Sequence, residues 1–143
     1  MTSTEAFVTV VVATRNRAPL LRETLDALVA QRWTDGRGEI IVADNASTDD
    51  TRAVVEAAAS APGPTIRYLY VNRPGKSHAV NAALAQARGD PLVFTDDDVV
   101  PEPEWLERMV QSLTDTGVEF AAGRILPRWE TTPPAWLSPR SRW

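Results

Sequence analysis

The sequence predicts an α/β domain of the Rossmann-like type, with a mostly parallel sheet and helices on both faces. Three observations support this prediction: four short apolar runs alternate with helical patterns, the runs lack apolar/polar alternation, and polar residues follow each run directly. Unbroken apolar strands are typical of a parallel sheet that is covered on both faces. Strands that alternate with helices form βαβ units.

The predicted elements follow in order along the chain. The strands are residues 7–13, 39–43, 66–71 and 91–95. Apolar residues at helical spacing predict one helix within residues 21–29, between the first two strands. The same spacing predicts helices within residues 80–87 and 106–113, before and after the fourth strand.

A further helix is expected in the alanine-rich stretch Thr51–Ala61. Ser47 or Thr48 would be its N-cap, because a side-chain hydroxyl accepts a hydrogen bond from the free N–H groups of a first turn. Asp49 and Asp50 would lie in that first turn, where the helix dipole favours negative charge. The proline and glycine residues directly after this stretch should end the helix.

Composition excludes several classes of protein. The chain has 143 residues, no cysteine and one histidine, which excludes a disulfide scaffold and a thiolate zinc site. Its formal net charge of -4 has the wrong sign for a general nucleic-acid binder. No apolar run reaches the ~18–20 residues that span a bilayer, and no basic segment begins a secretory signal. We therefore expect a cytoplasmic protein, either free or peripheral at the inner face of the membrane.

Polar residues directly follow each predicted strand. Because the carboxyl ends of parallel strands meet at one edge of the sheet, ligands of open α/β domains bind there. The residues at this edge are Thr14-Arg15-Asn16-Arg17, Asp44-Asn45-Ala46-Ser47, Asn72-Arg73-Pro74-Gly75-Lys76-Ser77 and Asp96-Asp97-Asp98.

The aspartate triple Asp96-Asp97-Asp98 is the sharpest signal among these residues. Adjacent carboxylates repel one another, so holding them ionised at a strand end costs free energy unless a cation compensates. Carboxylate oxygens suit Mg²⁺ or Mn²⁺, which commonly take one or two carboxylates and complete their coordination with phosphates and water. The alternative interpretation is a solvated turn that leads into a helix begun by Pro101 or Pro103.

Asp44 and Lys76 are further candidates at this edge. If the hydroxyls after Asp44 cap the next helix, Asp44 is free to accept a hydrogen bond from a ligand such as a nucleobase imide. The segment Gly75-Lys76-Ser77 looks like the end of a P-loop, but that motif needs a glycine where Tyr70 stands. Lys76 is therefore either a point charge directed at a diphosphate or a solvated surface lysine.

In these residues the sequence resembles the family 2 glycosyltransferases, inverting enzymes with the GT-A nucleotide-diphospho-sugar transferase fold. The resemblance spans about Val8 to Ile125, and it depends on the order of four blocks: Val-Val-Val-Ala-Thr-Arg-Asn-Arg at 10–17, Ile-Ile-Val-Ala-Asp-Asn-Ala-Ser-Thr-Asp-Asp-Thr at 40–51, Gly-Lys-Ser-His-Ala-Val-Asn-Ala-Ala-Leu at 75–84 and Phe-Thr-Asp-Asp-Asp-Val at 94–99. We expect a nucleotide-sugar-binding domain over residues 1–126. Residues 127–143, rich in proline and tryptophan, would form a tail or the start of an acceptor-side region.

The resemblance implies that six residues bind the substrate: Thr14, Arg15, Asp44, Lys76, Asp96 and Asp97. The first two would line the nucleotide pocket. Asp44 would read the base, and Lys76 would lie near the nucleotide or its phosphates. Asp96 and Asp98 match the outer positions of the family's DxD motif, which implies that they coordinate Mn²⁺ or Mg²⁺, mainly through Asp98.

The implied reaction transfers a sugar, with inversion, from a nucleotide-diphospho-sugar to a carbohydrate, lipid or small-molecule hydroxyl. A UDP-sugar is the expected donor. The sequence departs from the family at Arg15, where many relatives have an aromatic residue. In the family the general base is a later acidic residue, after a strand that would end near Ile125. No spacing argument makes Glu130 that base, so we expect it beyond Trp143 and the domain to be incomplete at its C-terminus.

Three other functions are less consistent with the sequence. The triple fits the nucleophile motif of haloacid dehalogenase-type phosphohydrolases, but that motif follows the first strand and here it follows the fourth. A receiver domain needs an acidic pair after the first strand, where Thr14-Arg15 stands, and a lysine after the fifth, where Gly123-Arg124 stands. A nucleotide-binding module without transferase activity is the remaining alternative.

Overall fold

A computed structural model describes residues 6–33, 37–134 and 136–137. Within these residues the chain forms four strands: β1 (Val8–Thr14), β2 (Gly38–Asp44), β3 (Thr65–Tyr70) and β4 (Leu92–Asp96). The same residues form four helices: α1 (Ala18–Val29), α2 (Thr51–Ala59), α3 (Lys76–Leu84) and α4 (Trp105–Thr116). Strands and helices alternate, and the predicted α/β fold class is confirmed. None of the described helices combines the length and apolar character needed to cross a membrane.

All strand pairs are parallel, and the sheet has the order β3-β2-β1-β4. From β1 the chain moves through β2 to β3 at one edge, and then it returns to add β4 on the other side of β1. The carboxyl ends of β1 and β4 therefore flank the point where the strand order reverses, which is where open α/β sheets bind ligands.

The helices cover both faces of the sheet, as predicted. On one face, Val10 of β1 and Leu25 of α1 belong to a large buried cluster that α2 and α4 complete. On the other face, Val11 packs against Ala79 and Ala83 of α3. Because neighbouring strand residues point to opposite faces, one strand supplies both cores. The small alanine side chains let α3 lie close to the sheet.

A buried carboxylate connects the amino ends of the strands by hydrogen bonds. Glu39 of β2 is fully buried. Its Oε1 accepts hydrogen bonds from the Thr9 hydroxyl at 3.1 Å and the Arg88 N–H at 3.0 Å, and its Oε2 pairs with Arg67 at 3.0 Å. Burial alone would raise the pKa of Glu39, but the bonds from Arg67, Arg88 and Thr9 outweigh burial and hold the pKa below its usual value. Glu39 is thus an ionised structural residue, far from the predicted site.

Strand β4 is at the edge of the sheet, and its side chains on the α3 face are poorly covered. No described strand lies beyond β4, because the sheet ends there. Leu92 and Phe94 point to the α3 side of the sheet, and they are 40% and 54% exposed. Helix α3 packs on β1 and β2 and does not extend over these two side chains.

The predicted start of α2 is wrong. Its N-cap residue is Asp50, whose side chain makes no capping bond, so neither Ser47 nor Thr48 is the cap. The Ser47 hydroxyl accepts a bond from the Asn16 N–H instead, and the Thr48 N–H donates to the Asn16 side chain. These hydroxyl residues are held by the loop after β1, which the local sequence pattern does not reveal.

Two further element boundaries differ from expectation. Helix α3 ends at Leu84, so Ala87 lies beyond it. Residues 118–134 contain no strand, and Ile125 is 78% exposed. Gly123 of this segment lies against Trp105 and Met109 of α4. A strand needs a neighbour for its backbone groups, and this segment runs over a helix, not along the sheet. Of the predicted tail, Ala135 and residues 138–143 lie outside the described residues.

Candidate functional site

The strand register brings the predicted residues to one level of the sheet. Thr14 at the end of β1 is aligned with Asp44 at the end of β2, and Ala13 is aligned with Asp96 at the end of β4. The loops that follow these strands therefore start side by side. Each begins with a polar or charged side chain.

The aspartate triple forms a network with the loop after β1. Asp97 is 5% exposed, and its Oδ2 accepts a hydrogen bond from the Thr14 hydroxyl at 2.8 Å. Nη1 of Arg17 lies 3.2 Å from Asp97 Oδ1 and 3.2 Å from Asp98 Oδ2. Lys76 at the start of α3 pairs with Asp96. The cation that three adjacent carboxylates were expected to require is therefore supplied, within the described residues, by Arg17 and Lys76.

The three aspartates differ in access. Asp96 and Asp98 have side chains 54% and 46% exposed, whereas the Asp97 carboxylate is buried with both oxygens bonded. Asp96 and Asp98 can thus meet a ligand. Asp97 contacts Thr14 and Arg17, and its contact with the substrate stays a prediction.

Lys76 lies where the sequence placed it, at the carboxyl edge of the sheet. Gly75, the residue before α3, has a φ of 120°, a conformation that residues with a Cβ rarely adopt. This glycine turns the chain so that Lys76 becomes the first residue of α3 and reaches across to Asp96. Lys76 is therefore part of the charged cluster and not an isolated surface lysine.

Asp44 is held by bonds within the chain. It is 1% exposed; its Oδ1 accepts the Ser47 N–H at 2.9 Å and its Oδ2 accepts the Tyr68 hydroxyl at 2.6 Å. Burial, followed by the bond to Asp44, raises the pKa of Tyr68 well above its usual value. The hydroxyls expected to leave Asp44 free for a ligand do not cap α2, and Asp44 already has two partners within the chain. Contact between Asp44 and a base requires the side chains that cover it to move.

Thr14 and Arg15 are placed differently, although they are neighbours. Thr14 is 4% exposed and its hydroxyl donates to Asp97. The Arg15 side chain is exposed and makes no hydrogen bond or ion pair with the described residues. Arg15 is thus available to a ligand, whereas Thr14 helps to hold the aspartate triple in place through its bond to Asp97.

Asn45 was not singled out from the sequence, although it joins two loops of the site. It is 4% exposed, and its Nδ2 donates to the carbonyls of Val71 at 3.3 Å and Arg73 at 2.7 Å. Its Oδ1 accepts the Gly75 N–H at 2.7 Å. The amide of Asn45 therefore fixes the loop before α3, and with it the start of Lys76. In the sequence, this role could have been suspected from the position of Asn45 directly after Asp44, the last residue of β2.

Asn16 and Asp49 join the loops after β1 and β2. Asn16 has a φ of 53°, a conformation in which asparagine is enriched, and its Oδ1 accepts the Thr48 N–H at 2.7 Å. Asp49 Oδ2 accepts the Ala18 N–H at the start of α1 at 3.0 Å. Burial would raise the pKa of Asp49, but bonds from Thr51 and Ala18 outweigh burial and lower the pKa.

The described acidic side chains do not by themselves enclose a metal ion: no three acidic or histidine side chains among them are grouped as such a site requires. Two accessible carboxylates, Asp96 and Asp98, match the open kind of site in which phosphate oxygens and water supply the remaining ligands. The donor atoms present therefore fit a hard divalent ion that arrives together with an anionic ligand.

The fold and the charged edge define an α/β domain with a candidate ligand site at the carboxyl ends of a parallel sheet, at the point where the strand order reverses. The sequence profile of glycosyl transferase family 2 matches residues 9–142, and the chain belongs to this family. The family resemblance expected from the four sequence blocks is thus confirmed.

Relatives and solved structures agree with this assignment. The chain is 31% identical to the glycosyltransferase AglE of Haloferax volcanii over 125 residues, which are 87% of this chain and 41% of AglE. It is 33% identical to the succinoglycan biosynthesis protein ExoM of Rhizobium meliloti over 122 residues, which are 85% of this chain and 40% of ExoM. The chain therefore spans about two fifths of the length of these relatives.

Two solved structures share the fold. The mannosyltransferase PcManGT from Pyrobaculum calidifontis, in complex with GDP-Man and Mn²⁺, matches 78% of this chain and 33% of its own, with a TM-score of 0.73 and 38% identity. TarS 1–349 of S. aureus, in complex with UDP-GlcNAc, matches 85% of this chain and 37% of its own, with a TM-score of 0.68 and 26% identity. The fold of the chain is that of the GT-A glycosyltransferases.

Proposed function

We propose that this chain is the donor-binding part of an inverting glycosyltransferase, which binds a nucleotide-diphospho-sugar together with a divalent metal ion and presents the sugar to an acceptor hydroxyl. One observation carries the proposal: Asp96, Asp98, Lys76 and Arg17 converge at the reversal point of the sheet in a chain of this family. Accessible carboxylates beside two cations suit a ligand that combines a metal ion with a diphosphate.

Asp96 and Asp98 would hold Mn²⁺ or Mg²⁺. The bound ion would neutralise negative charge that develops on the departing nucleoside diphosphate. Lys76, as the first residue of α3, would bring a positive charge to the phosphates. Because its partner Asp96 is half-exposed, Lys76 can exchange that carboxylate for a phosphate oxygen at small cost.

We propose a UDP-sugar as the donor, with Arg15 and the loop after β2 around the nucleotide. PcManGT is complexed with GDP-Man and TarS with UDP-GlcNAc, so both bases are represented among similar structures. Asp44 remains the proposed reader of the base, since each of its oxygens keeps a second lone pair beside its present partner. Carbohydrate, lipid and small-molecule hydroxyls all remain candidate acceptors, and the cytoplasmic location remains a prediction from the sequence.

We propose none of the described residues as the general base. Glu130, the acid nearest the end of the described segment, is exposed and makes no hydrogen bond with them. We therefore expect this chain alone to bind donor but to transfer little sugar, which also favours the second candidate, a nucleotide-binding module without transferase activity. Product formation by the chain, measured with a radiolabelled UDP-sugar and several acceptors, separates the two candidates.

Ligand-dependent thermal melting tests donor binding. UDP at 100 times its Kd should stabilise the chain by about 2.7 kcal/mol when Mn²⁺ is present. The stabilisation should disappear in EDTA and in Asp98→Ala, because the metal ion links the phosphates to the protein. Asp26→Ala, which removes an exposed carboxylate from α1, is the matched control and should retain the shift. Equal stabilisation by UDP in EDTA would contradict the metal-dependent proposal.

A further inference from the structure

Arg17 makes two unlike contacts with the aspartate triple. Nη1 lies 3.2 Å from Asp97 Oδ1 and equally far from Asp98 Oδ2. The Asp97 side chain is 7% exposed and also bonded to Thr14, whereas the Asp98 side chain is 46% exposed. The bond to Asp97 thus anchors the guanidinium, and the bond to Asp98 lies at the surface, where an ion pair is easily exchanged.

The charges around the triple are almost balanced without any ligand. Arg17 and Lys76 together leave the three carboxylates with one excess negative charge. A divalent cation approaching Asp98 meets the Arg17 guanidinium on one of its oxygens and is repelled by it. A nucleoside diphosphate brings negative charge that both cations can accept, which frees the carboxylates.

We propose that Arg17 competes with the divalent metal ion for Asp98, so that metal and nucleoside diphosphate bind cooperatively. This inference deepens the proposed function and rests on it. On its own, the metal ion binds weakly because Arg17 occupies Asp98. When the diphosphate is present, Arg17 pairs with a phosphate and the metal ion gains the carboxylate. Each ligand must raise the affinity of the other by the same factor.

Mn²⁺ titrations followed by electron paramagnetic resonance of the free ion test this proposal, with and without saturating UDP. In Arg17→Gln, Mn²⁺ alone should bind about threefold to tenfold more tightly than in the unmodified chain. The factor by which UDP tightens Mn²⁺ binding should fall in the same variant. Arg17→Lys keeps a positive charge beside Asp97 and Asp98, so Mn²⁺ alone should bind less tightly to it than to Arg17→Gln.

Arg22→Gln is the control for charge, because Arg22 is exposed on α1 and has no ion-pair partner among the described residues. A gain in Mn²⁺ affinity as large in Arg22→Gln as in Arg17→Gln would overturn the proposal. So would an Arg17→Gln variant that melts normally but binds Mn²⁺ no more tightly than the unmodified chain. Absence of UDP binding at any Mn²⁺ concentration would instead contradict the proposed function, and the titrations with Mn²⁺ alone would still decide whether Arg17 competes for Asp98.

Discussion

Asn45 shows how one buried amide can set the geometry of a charged site. Its side chain donates to two carbonyls and accepts one N–H from the loop before α3. An aspartate has nearly the same shape, but when ionised it can only accept hydrogen bonds. Replacing Asn45 with aspartate therefore removes the donor of this side chain while its shape is kept.

We expect Asn45→Asp to destabilise the fold by about 1–3 kcal/mol at pH 7, because the carbonyls of Val71 and Arg73 lose a buried donor. Hydrogen exchange of residues 71–77 should accelerate more than that of β1, and lowering the pH should reverse part of the effect by protonating the new carboxyl. Asn81→Asp on the exposed side of α3 is the control. Unchanged exchange in residues 71–77 would refute the role given to Asn45.

The charged residues of the site could be predicted from the sequence, whereas the residues that position them could not. Asp96, Asp98 and Lys76 come after apolar runs, and this order in the chain predicts that they lie at the carboxyl edge of a parallel sheet. Asn16 and Asn45 act through loop backbone contacts that form only when the sheet is assembled. The sequence pattern assigns no role to Arg17, because its partners Asp97 and Asp98 are distant in the sequence.

At the scale of elements, α4 depends on a side chain from outside its own sequence. Gln31, just after α1, donates to the carbonyl of Glu102 at 2.9 Å and accepts the Leu106 N–H at 3.0 Å. The N-cap residue of α4, Glu104, provides no side-chain cap. Gln31 thus substitutes for the missing cap and holds α4 against α1.

Gln31→Ala should lower the free energy of unfolding by about 1–3 kcal/mol, since the buried Leu106 N–H loses its partner. Urea denaturation followed by circular dichroism measures this loss. Gln111→Ala, on the exposed surface of α4, should change stability by less than about 0.5 kcal/mol. Equal effects of the two variants would show that Gln31 is not a cap.

The element boundaries illustrate what local pattern can establish. Apolar runs located β1 to β4, helical spacing located α1, α3 and α4, and an alanine-rich stretch located α2, each within a few residues. These elements bury the residues that create the patterns. The start of α2 was predicted wrongly because Ser47 and Thr48 bond with Asn16, a residue of another loop. Capping by local side chains is a rule that tertiary contacts can override.

At the scale of the whole molecule, ionisation of Glu39 makes the stability of the fold depend on pH. The folded state holds the pKa of Glu39 below 4.5, its usual value, so the ionised carboxylate stabilises the fold at and above that pH. The stabilisation is lost as the pH falls from 4.5 through the folded-state pKa. Asp49 contributes in the same direction, because its pKa is also lowered.

Glu39→Gln should therefore lose on the order of 3 kcal/mol at pH 7, and its stability should fall less steeply below pH 4.5 than that of the unmodified chain. Urea denaturation at pH values from 7 to 3 measures both effects. Glu56→Gln removes the exposed pair with Arg52 and should cost less than about 1 kcal/mol at pH 7. An unchanged acid slope in Glu39→Gln would contradict this account.

The open side of β4 affects how the molecule behaves in concentrated solution. Its outer backbone groups have no partner strand among the described residues, and Leu92 and Phe94 expose apolar surface beside them. Such an edge is a template for pairing with another extended chain. Asp96 ends the same strand, but Lys76 pairs with it, so little net charge remains there to repel a second copy of the chain. The open edge of β4 therefore makes the domain prone to associate with itself at high concentration.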